Sequence, residues 1–214
     1  MSQQDHTAAD PMIARANDVI DRLFALDETV TNARAFCSLL EDLHARDLSV
    51  VQEPHVAVIT MVRAGILRAA IGTVMACLDR EDSRGNRASV GQILDLLRDA
   101  DLVAVFPEPG QPADLGLAAL QRANSAYSAL VAGDLFLRGR RLRNDMIAHT
   151  LMTIDPTPTF TYEIIYALHD AAARLVTDLY QVCYRGNPRF LDHQTNLTER
   201  AKVFWDTYFD GMSR

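Results

Sequence analysis

The sequence predicts an all-α fold, a helical bundle with additional N- and C-terminal helices. Apolar residues recur at three- and four-residue spacings along most of the 214 residues, which is the pattern of amphipathic helices. The clearest breaks between these stretches are rich in proline, glycine or charged residues. We find no strand-rich region and no internal repeat. A single all-α domain over residues 1–214 is therefore expected, with residues 1–9 flexible.

The first helical stretch extends from Asp10 to about Asp47. Pro11 is its only proline, at a position that suits the first helical turn, and no glycine interrupts it. The apolar spacing is compatible with one long helix or with two helices joined near Asp27-Glu28.

A second helix is expected to open at Pro54 and to end near Asp79. Apolar residues surround most of its circumference, so we expect this helix at the centre of the core. Arg63 and Arg68 interrupt the apolar stretch. Its composition therefore favours a buried core helix over a membrane span.

The middle of the chain contains two predicted breaks. Residues 79–87 are charged and polar and should form a loop. Ser89, followed three residues later by Gln92, has the signature of a capping box and predicts a short helix. Residues 107–112 contain three prolines and a glycine and should end the helical structure there.

Three further helical regions are predicted in the second half. The first covers 113–149, and Gly133 and Gly139 are the points where it could bend or divide. The second covers 161–184, and Thr161 is its expected N-terminal cap. A last amphipathic helix is expected over 197–209, where an aromatic run should pack inside the protein or at a dimer contact.

The chain is acidic, with a formal net charge of -7 and a pI of about 5.3. This charge argues against a nucleic-acid coat protein and against binding to anionic membranes, although it allows a local basic patch. The three cysteines are far apart in apolar helical sequence, so we expect core thiols in a reducing compartment. The first residues lack the features of a signal peptide. We therefore expect a cytoplasmic protein without membrane association.

Four arginines stand close together in the acidic chain: Arg138, Arg140, Arg141 and Arg143. Such a cluster creates a local positive field that attracts phosphate. Composition alone favours another interpretation, a solvated helix face whose arginines pair with acidic neighbours. His149 is the only histidine in the chain with an arginine five to seven positions before it. Because chance can supply such a pair, the spacing alone decides nothing.

The segment Arg143-Asn144-Asp145-Met146-Ile147-Ala148-His149 resembles the motif of the HEPN superfamily. In that motif an arginine is usually followed by a polar residue, and a histidine comes after four to six intervening residues. The ending Ile147-Ala148-His149 is similar to that of the abortive-infection-associated branch. The order of the predicted helices also resembles that branch, so the resemblance covers roughly residues 54–186.

The resemblance implies a metal-independent endoribonuclease without a cofactor, commonly a toxin or a phage-defence effector. The 2′-hydroxyl of RNA would attack the adjacent phosphate, with His149 as general base or acid and Arg143 stabilising charge on the phosphoryl oxygens. Asn144 would position Arg143 or hydrogen-bond the phosphate. The other arginines of the cluster would hold the RNA backbone without reading its sequence: Arg138, Arg140 and Arg141.

Helix geometry makes a dimer the expected form of this site. On a regular helix Arg143 and His149 are offset by about 120°, so one helix does not readily aim both at one phosphate. A two-fold homodimer brings Arg143 of one chain near His149 of the other, which the HEPN resemblance also implies. Asp145 shares a face with His149 and would either orient the imidazole or form a surface ion pair.

The resemblance also implies a cognate antitoxin as a partner. Some HEPN toxins carry a tyrosine two residues after the histidine, where a partner nucleotidyltransferase modifies it. This chain has Leu151 there. Silencing by that route is therefore not supported.

Two other interpretations bear on the same chain. Glu41 and His44 have the Glu-x-x-His spacing of di-iron bundles, but a second such pair is missing, so we expect no metal site. The motif could also be structural, because an arginine and a histidine at a helix end can bind free carbonyl groups. The protein would then be a non-catalytic helical RNA-binding or protein-interaction module.

Overall fold

The computed structural model describes residues 10–53, 55–79, 88–107, 112–148 and 160–212. The all-α class is confirmed, since the secondary structure of these residues consists of eight α-helices and one short 3-10 helix. In chain order they are α1 (Pro11–His44), the 3-10 helix (Leu48–Val50), α2 (His55–Leu78), α3 (Val90–Leu96), α4 (Ala100–Val103), α5 (Ala113–Ala132), α6 (Asp134–Ala148), α7 (Phe160–Val182) and α8 (Arg189–Met212). Residues 1–9 and most of the predicted 79–87 loop lie outside the described residues.

The N-terminal stretch forms one helix, α1. Asp10 Oδ1 accepts a hydrogen bond from Met12 N at 2.9 Å, and Pro11 occupies the first turn as predicted. The helix continues through Asp27-Glu28, where the sequence also allowed a junction. Asp27 is fully buried, and its carboxylate binds groups of α7 and α8.

The Asp27 carboxylate caps α8 from the side. Its Oδ2 accepts hydrogen bonds from the Tyr180 hydroxyl at 2.8 Å and from Arg189 N at 2.9 Å, and its Oδ1 accepts one from Phe190 N at 3.4 Å. Pro188, which precedes α8, has no side-chain acceptor. Asp27 therefore takes the role of an N-cap residue and places a carboxylate at the positive end of the α8 dipole.

The buried apolar residues form two clusters, a large one with members from all eight α-helices and a small one of Leu43, Ile59 and Trp205. α1 packs against α2, α7 and α8, while α7 also contacts α2, α5 and α6. The apolar face of α7 is buried, and it includes Ile164, Ile165, Leu168, Leu175, Val176 and Leu179. The three cysteines are buried and unpaired, as expected for core thiols. Burial raises the pKa of the Cys37 thiol to about 12, so this thiol is protonated and unreactive near neutral pH.

α2 is buried mainly in its second half, and Ile59 is the one buried residue of its first half. Leu67 and Ile71 are buried in the second half, whereas Val58 and Met61 in the first half are 44% and 64% exposed. The prediction that the whole helix lies at the centre is therefore wrong for the first half. By length and composition alone α2 could also cross a membrane, a test that the core helix of a soluble protein passes as well.

Two short helices follow the 79–87 region. At α3, Ser89 Oγ accepts a hydrogen bond from Gln92 N at 3.4 Å, as the capping box predicts. The reciprocal bond is not formed, since Gln92 Oε1 is buried without a partner among the described residues. α4 was not predicted. Asp99 caps it by accepting hydrogen bonds from Asp101 N and Leu102 N at 3.1 and 3.4 Å.

The 113–149 region divides at Gly133 and continues through Gly139. Gly133 has an extended backbone (φ -86°, ψ 159°) and ends α5. Gly139 lies inside α6, where the helix approaches its neighbours closely. A Cβ there would overlap Leu168 of α7 and would lie 3.1 Å from Met75 Sδ of α2. The missing side chain therefore allows α6 to lie close to both helices.

The ends of α7 differ from the prediction. The helix begins at Phe160, so the expected cap residue Thr161 already lies inside it. It ends shortly before Tyr184, whose φ of 51° is in the left-handed region that residues other than glycine rarely adopt. The Tyr184 hydroxyl anchors this turn by donating to Pro112 O at 2.6 Å. α8 starts earlier than predicted, because the cap from Asp27 comes from a distant part of the sequence.

The interface of α1 and α7 contains most of the buried polar atoms that lack partners. Among the described residues five such side-chain atoms have no hydrogen-bond partner, and four of them lie here: Arg34 Nε, Ser38 Oγ, Tyr166 OH and His169 Nε2. Arg34 is nevertheless anchored by two hydrogen bonds to the Glu41 carboxylate, at 2.9 and 3.1 Å. Burial raises the pKa of Tyr166 and lowers that of His169.

His169 should make folding stability depend on pH. Burial and the positive charge of Arg34 lower the pKa of His169, and Asp170 only partly offsets them. The unfolded histidine titrates near 6.5, so the unfolded state binds more protons and stability falls as the pH drops below that value. Urea titrations between about pH 7.5 and about pH 5.5 measure the free energy of unfolding. We expect it to fall more steeply with decreasing pH for wild type than for His169→Gln.

A matched control for this experiment is His193→Gln, which changes an exposed histidine. The free energy of unfolding of this variant should depend on pH as steeply as that of the wild type. If the free energy of unfolding depended on pH equally in wild type and His169→Gln, His169 would not be buried in its neutral form.

Candidate functional site

The predicted basic cluster lies on α6, and its members differ in exposure. The side chains of Arg138 and Arg140 are 45% and 42% exposed, and Arg141 is also exposed. Arg143 is only 24% exposed and contacts the end of α2. The cluster therefore separates into arginines that face solvent and one that is held against the core.

Arg143 binds Asp79 and Asn144. Its Nη1 donates a hydrogen bond to Asp79 Oδ2 in a close ion pair. Its Nε and Nη2 both donate to Asn144 Oδ1, at 3.3 and 3.1 Å. Two sides of the planar guanidinium are therefore fixed, and hydrogen bonds to a charged partner are the stronger kind.

Asp79 is shared by two arginines. Its side chain is 15% exposed, and its Oδ1 lies 3.8 Å from Arg140 Nε while Oδ2 accepts from Arg143. A carboxylate this far removed from water is favourable only when it is paired and hydrogen-bonded. Asp79 therefore holds part of the basic cluster in a fixed arrangement.

The parallel packing of α2 and α6 brings these residues together. Asp79 directly follows α2, and its N–H donates to Met75 O at 2.7 Å, which continues the helical pattern. Met75 faces Gly139, and Asp79 binds Arg143, four residues further along each helix. The two helices thus extend side by side in one direction, and Asp79 reaches the last turns of α6.

The remaining predicted site residues are not drawn into this contact. Arg138 lies 3.7 Å from Asp134 in an exposed i,i+4 pair, and Asp145 and Arg141 are exposed. His149 lies outside the described residues, as does the Leu151 position. The pairing of Arg143 with His149 across a dimer therefore stays a prediction.

α2 and α6 form the basic part of an acidic protein. Together they contain six arginines and two aspartates, a formal charge of +4 in a chain whose formal net charge is -7. The arginines of α2 are Arg63 and Arg68, and this helix has no acidic residue. Such a separation of charge creates a local positive field that attracts a polyanion.

Comparison with protein-family profiles, curated proteins and solved structures finds no match to this chain. Membership of the HEPN superfamily therefore stays a prediction that rests on the resemblance of residues 143–149 to the HEPN motif and on the order of the predicted helices.

Glu41 and His44, which have the Glu-x-x-His spacing in α1, contact other side chains. Glu41 binds Arg34, and the His44 ring lies 5.3 Å from the Tyr162 ring. No group of three or more metal-ligating side chains occurs among the residues that the structure describes.

A groove of about 240 Å³ lies between α3 and α5. Asp95 and Arg98 line it and pair with each other at 3.2 Å. Because their charges cancel, the groove offers less to an anionic ligand than α6 does.

Sequence reasoning missed Asp79 as part of the site. The only local signal is that Asp79 is the first charged residue after a long apolar helix. Its pairing with Arg143 depends on the register of α2 against α6, which spacing within either helix does not reveal. Gly139 offers an indirect signal, since a glycine inside a helix often marks a close approach to a neighbour.

Proposed function

We propose that this protein is a metal-independent HEPN-type endoribonuclease that acts in the cytoplasm as a homodimer, as a toxin or a phage-defence effector. The observation that carries the proposal is the arrangement at the end of α6. There Arg143, oriented by Asn144, stands beside Arg140 a few residues before His149. A guanidinium can stabilise charge on a phosphate, and a histidine can transfer a proton to or from a ribose hydroxyl.

The charge distribution supports RNA as the substrate. The exposed Arg138 and Arg141 and the partly buried Arg140 lie on the same helix as Arg143 and would contact the phosphates of the RNA backbone. Because the rest of the chain is strongly acidic, an extended polyanion would be attracted to the arginines of α6 and repelled elsewhere. Binding should therefore weaken steeply as salt is added.

The proposed reaction needs no metal or cofactor. One histidine takes the proton from the 2′-hydroxyl, whose oxygen attacks the adjacent phosphorus. The bond from phosphorus to the 5′-oxygen breaks, and an acid returns a proton to that oxygen. The products are a 2′,3′-cyclic phosphate and a 5′-hydroxyl. Arg143 would stabilise the negative charge on the phosphoryl oxygens, and His149 of each chain would serve as base or acid.

A second candidate is a non-catalytic helical module that binds RNA or another protein. The ion pair of Arg143 with Asp79 favours it, because such a contact also serves simply to join the end of α2 to α6. In this case Arg143 would contribute to stability, and His149 would be dispensable.

Variants of the motif distinguish these candidates. We expect induced wild-type protein to arrest bacterial growth with loss of RNA, and the purified protein to cleave RNA in the presence of a chelator. His149→Ala and Arg143→Ala should each lower the cleavage rate by about 10²–10⁴-fold, the usual contribution of an acid–base group or a charge-stabilising donor.

Arg98→Ala is the matched control, because it removes an exposed arginine that pairs with Asp95 away from α6. It should leave the rate unchanged, and circular dichroism should show that all variants fold. Folded His149→Ala protein that arrests growth and cleaves RNA like wild type would exclude the ribonuclease proposal and favour the non-catalytic module.

A further inference from the structure

Asp79 lies where a negative charge is least expected in an RNA-binding surface. It stands between Arg140 and Arg143, and it cancels part of the positive charge that would attract a phosphate. If the surface served only to bind RNA, a neutral residue would serve it better. The carboxylate therefore calls for a role other than affinity.

The contacts of Arg143 indicate that role. A guanidinium has five N–H groups. Within the described residues three of them are engaged, one by Asp79 and two by Asn144, which leaves two donors for a phosphate. Asn144 is exposed and is the next residue on the same helix, so alone it is a weak restraint. The partly buried Asp79 connects the guanidinium to a second helix.

Asp79 itself is well fixed. Its backbone N–H donates to Met75 O at 2.7 Å, and Met75 is buried against Gly139 of α6. The spacing of α2 and α6 is therefore set within one turn of the ion pair. A guanidinium anchored in this way loses little conformational entropy when it binds a developing anionic charge.

We propose that Asp79 is the positioning residue for Arg143 in RNA cleavage, a role that rests on the proposed ribonuclease function. Asp79 holds the guanidinium in the orientation that the reacting phosphate needs, and it does so at the expense of ground-state affinity for RNA. The two effects have opposite signs. Removing the charge should tighten RNA binding and should slow cleavage.

The test uses the full-length chain and Asp79→Asn, which keeps the size of the side chain and removes its charge. Fluorescence anisotropy with a labelled single-stranded RNA measures binding, and single-turnover cleavage at saturating protein measures the rate. We expect binding that is as tight as wild type or a few-fold tighter, and a rate lowered by about 10²-fold, the scale of a misplaced catalytic group. Asp79→Glu should recover part of the rate.

Asp134→Asn is the matched control. It removes one negative charge from the start of α6, where Asp134 lies 3.7 Å from Arg138 and 77% exposed. It should tighten binding similarly without slowing cleavage. Asp79→Asn and Arg143→Ala should not be additive, because Asp79 acts through Arg143: once Arg143 is removed, the Asp79 change should alter the rate little.

Three results would overturn this role. Cleavage by Asp79→Asn at the rate of wild type would show that positioning is unnecessary, and faster cleavage would make Asp79 a brake on the site. Additive losses in the double variant would show that Asp79 does not act through Arg143. Wild-type protein that binds RNA without cleaving it would instead exclude the proposed reaction itself, and with it this role.

Discussion

Replacing Asp27 by alanine is expected to lower the free energy of unfolding by about 3–5 kcal/mol, because three donors lose a charged acceptor and α8 loses its cap. Its carboxylate accepts three hydrogen bonds, from the Tyr180 hydroxyl and from Arg189 N and Phe190 N. Alanine would leave these donors without an acceptor in a buried place, and each unsatisfied donor costs roughly 1–3 kcal/mol before relaxation. The substitution would also remove the cap of α8.

Two further variants resolve what the carboxylate contributes. Asp27→Asn keeps one oxygen acceptor and loses the charge, so we expect a smaller cost of about 1–3 kcal/mol. Asp18→Ala changes an exposed aspartate of the same helix, which pairs with Arg22 at 3.0 Å, and should cost at most about 0.5 kcal/mol. Urea unfolding followed by circular dichroism measures all three. A loss for Asp27→Ala no larger than that for Asp18→Ala would contradict the cap.

Asp27 also illustrates where prediction from the sequence ends. The helical period showed that α1 exists, and Asp10 with Pro11 located its start, because caps and first-turn prolines act over a few residues. The same local reasoning treated Asp27-Glu28 as a point where the helix could end. The carboxylate is buried because its donors come from α7 and α8, more than 150 residues away. Contacts at that distance leave no trace in local periodicity.

The two glycines of the 113–149 region show the same limit. Both could interrupt a helix by propensity, and the sequence could not rank them. Gly133 ends α5, whereas Gly139 remains helical since its missing side chain admits Leu168 and Met75. Whether a glycine ends a helix or lets it approach its neighbours closely depends on the packing between helices, which is a property of the tertiary structure.

For the candidate site, the sequence located the residues on α6 and left their partners open. Asn144 was expected either to position Arg143 or to hydrogen-bond the phosphate. Its contact with Arg143 lies within one helix, so adjacency could suggest it. The contact of Asp79 with Arg143 joins two residues that are 64 positions apart in the chain, so it could not be anticipated from adjacency. The basic cluster was weighed as an RNA-binding surface or as a face that pairs with acidic neighbours. The ion pairs of Arg138, Arg140 and Arg143 show that pairing occurs, and RNA binding by the same face stays a prediction.

Replacing Trp205 by alanine should cost about as much stability as the Asp27 change, for a different reason. Trp205 lies in α8 and is fully buried, where it packs with Leu43 of α1 and Ile59 of α2. Its Nε1 donates a hydrogen bond to Leu39 O at 2.9 Å. Removing a buried aromatic side chain of this size leaves a cavity, and we expect the free energy of unfolding to fall by about 3–5 kcal/mol.

The neighbouring Phe204 provides a matched control on the same helix. It is 47% exposed, so Phe204→Ala removes an aromatic ring without opening a cavity and should cost well under half as much. Trp205→Phe fills most of the space and loses the bond to Leu39 O, and the difference between it and Trp205→Ala isolates the contribution of packing. Urea unfolding by circular dichroism measures the series, because the two Trp205 variants lack the only tryptophan of the chain and cannot be followed by its fluorescence.

The shape of the unfolding transition tests how α8 relates to the rest of the bundle. Trp205 connects α8 to α1 and α2, and Asp27 binds its other end, so α8 is joined to the core at both ends. We therefore expect Trp205→Ala to unfold in one cooperative transition at a lower urea concentration, with an unchanged dependence on urea. A separate early transition with partial loss of helix would show instead that α8 detaches by itself. In that case cleavage of RNA by the Trp205→Ala protein at the wild-type rate would assign the activity to the helices that α8 leaves behind.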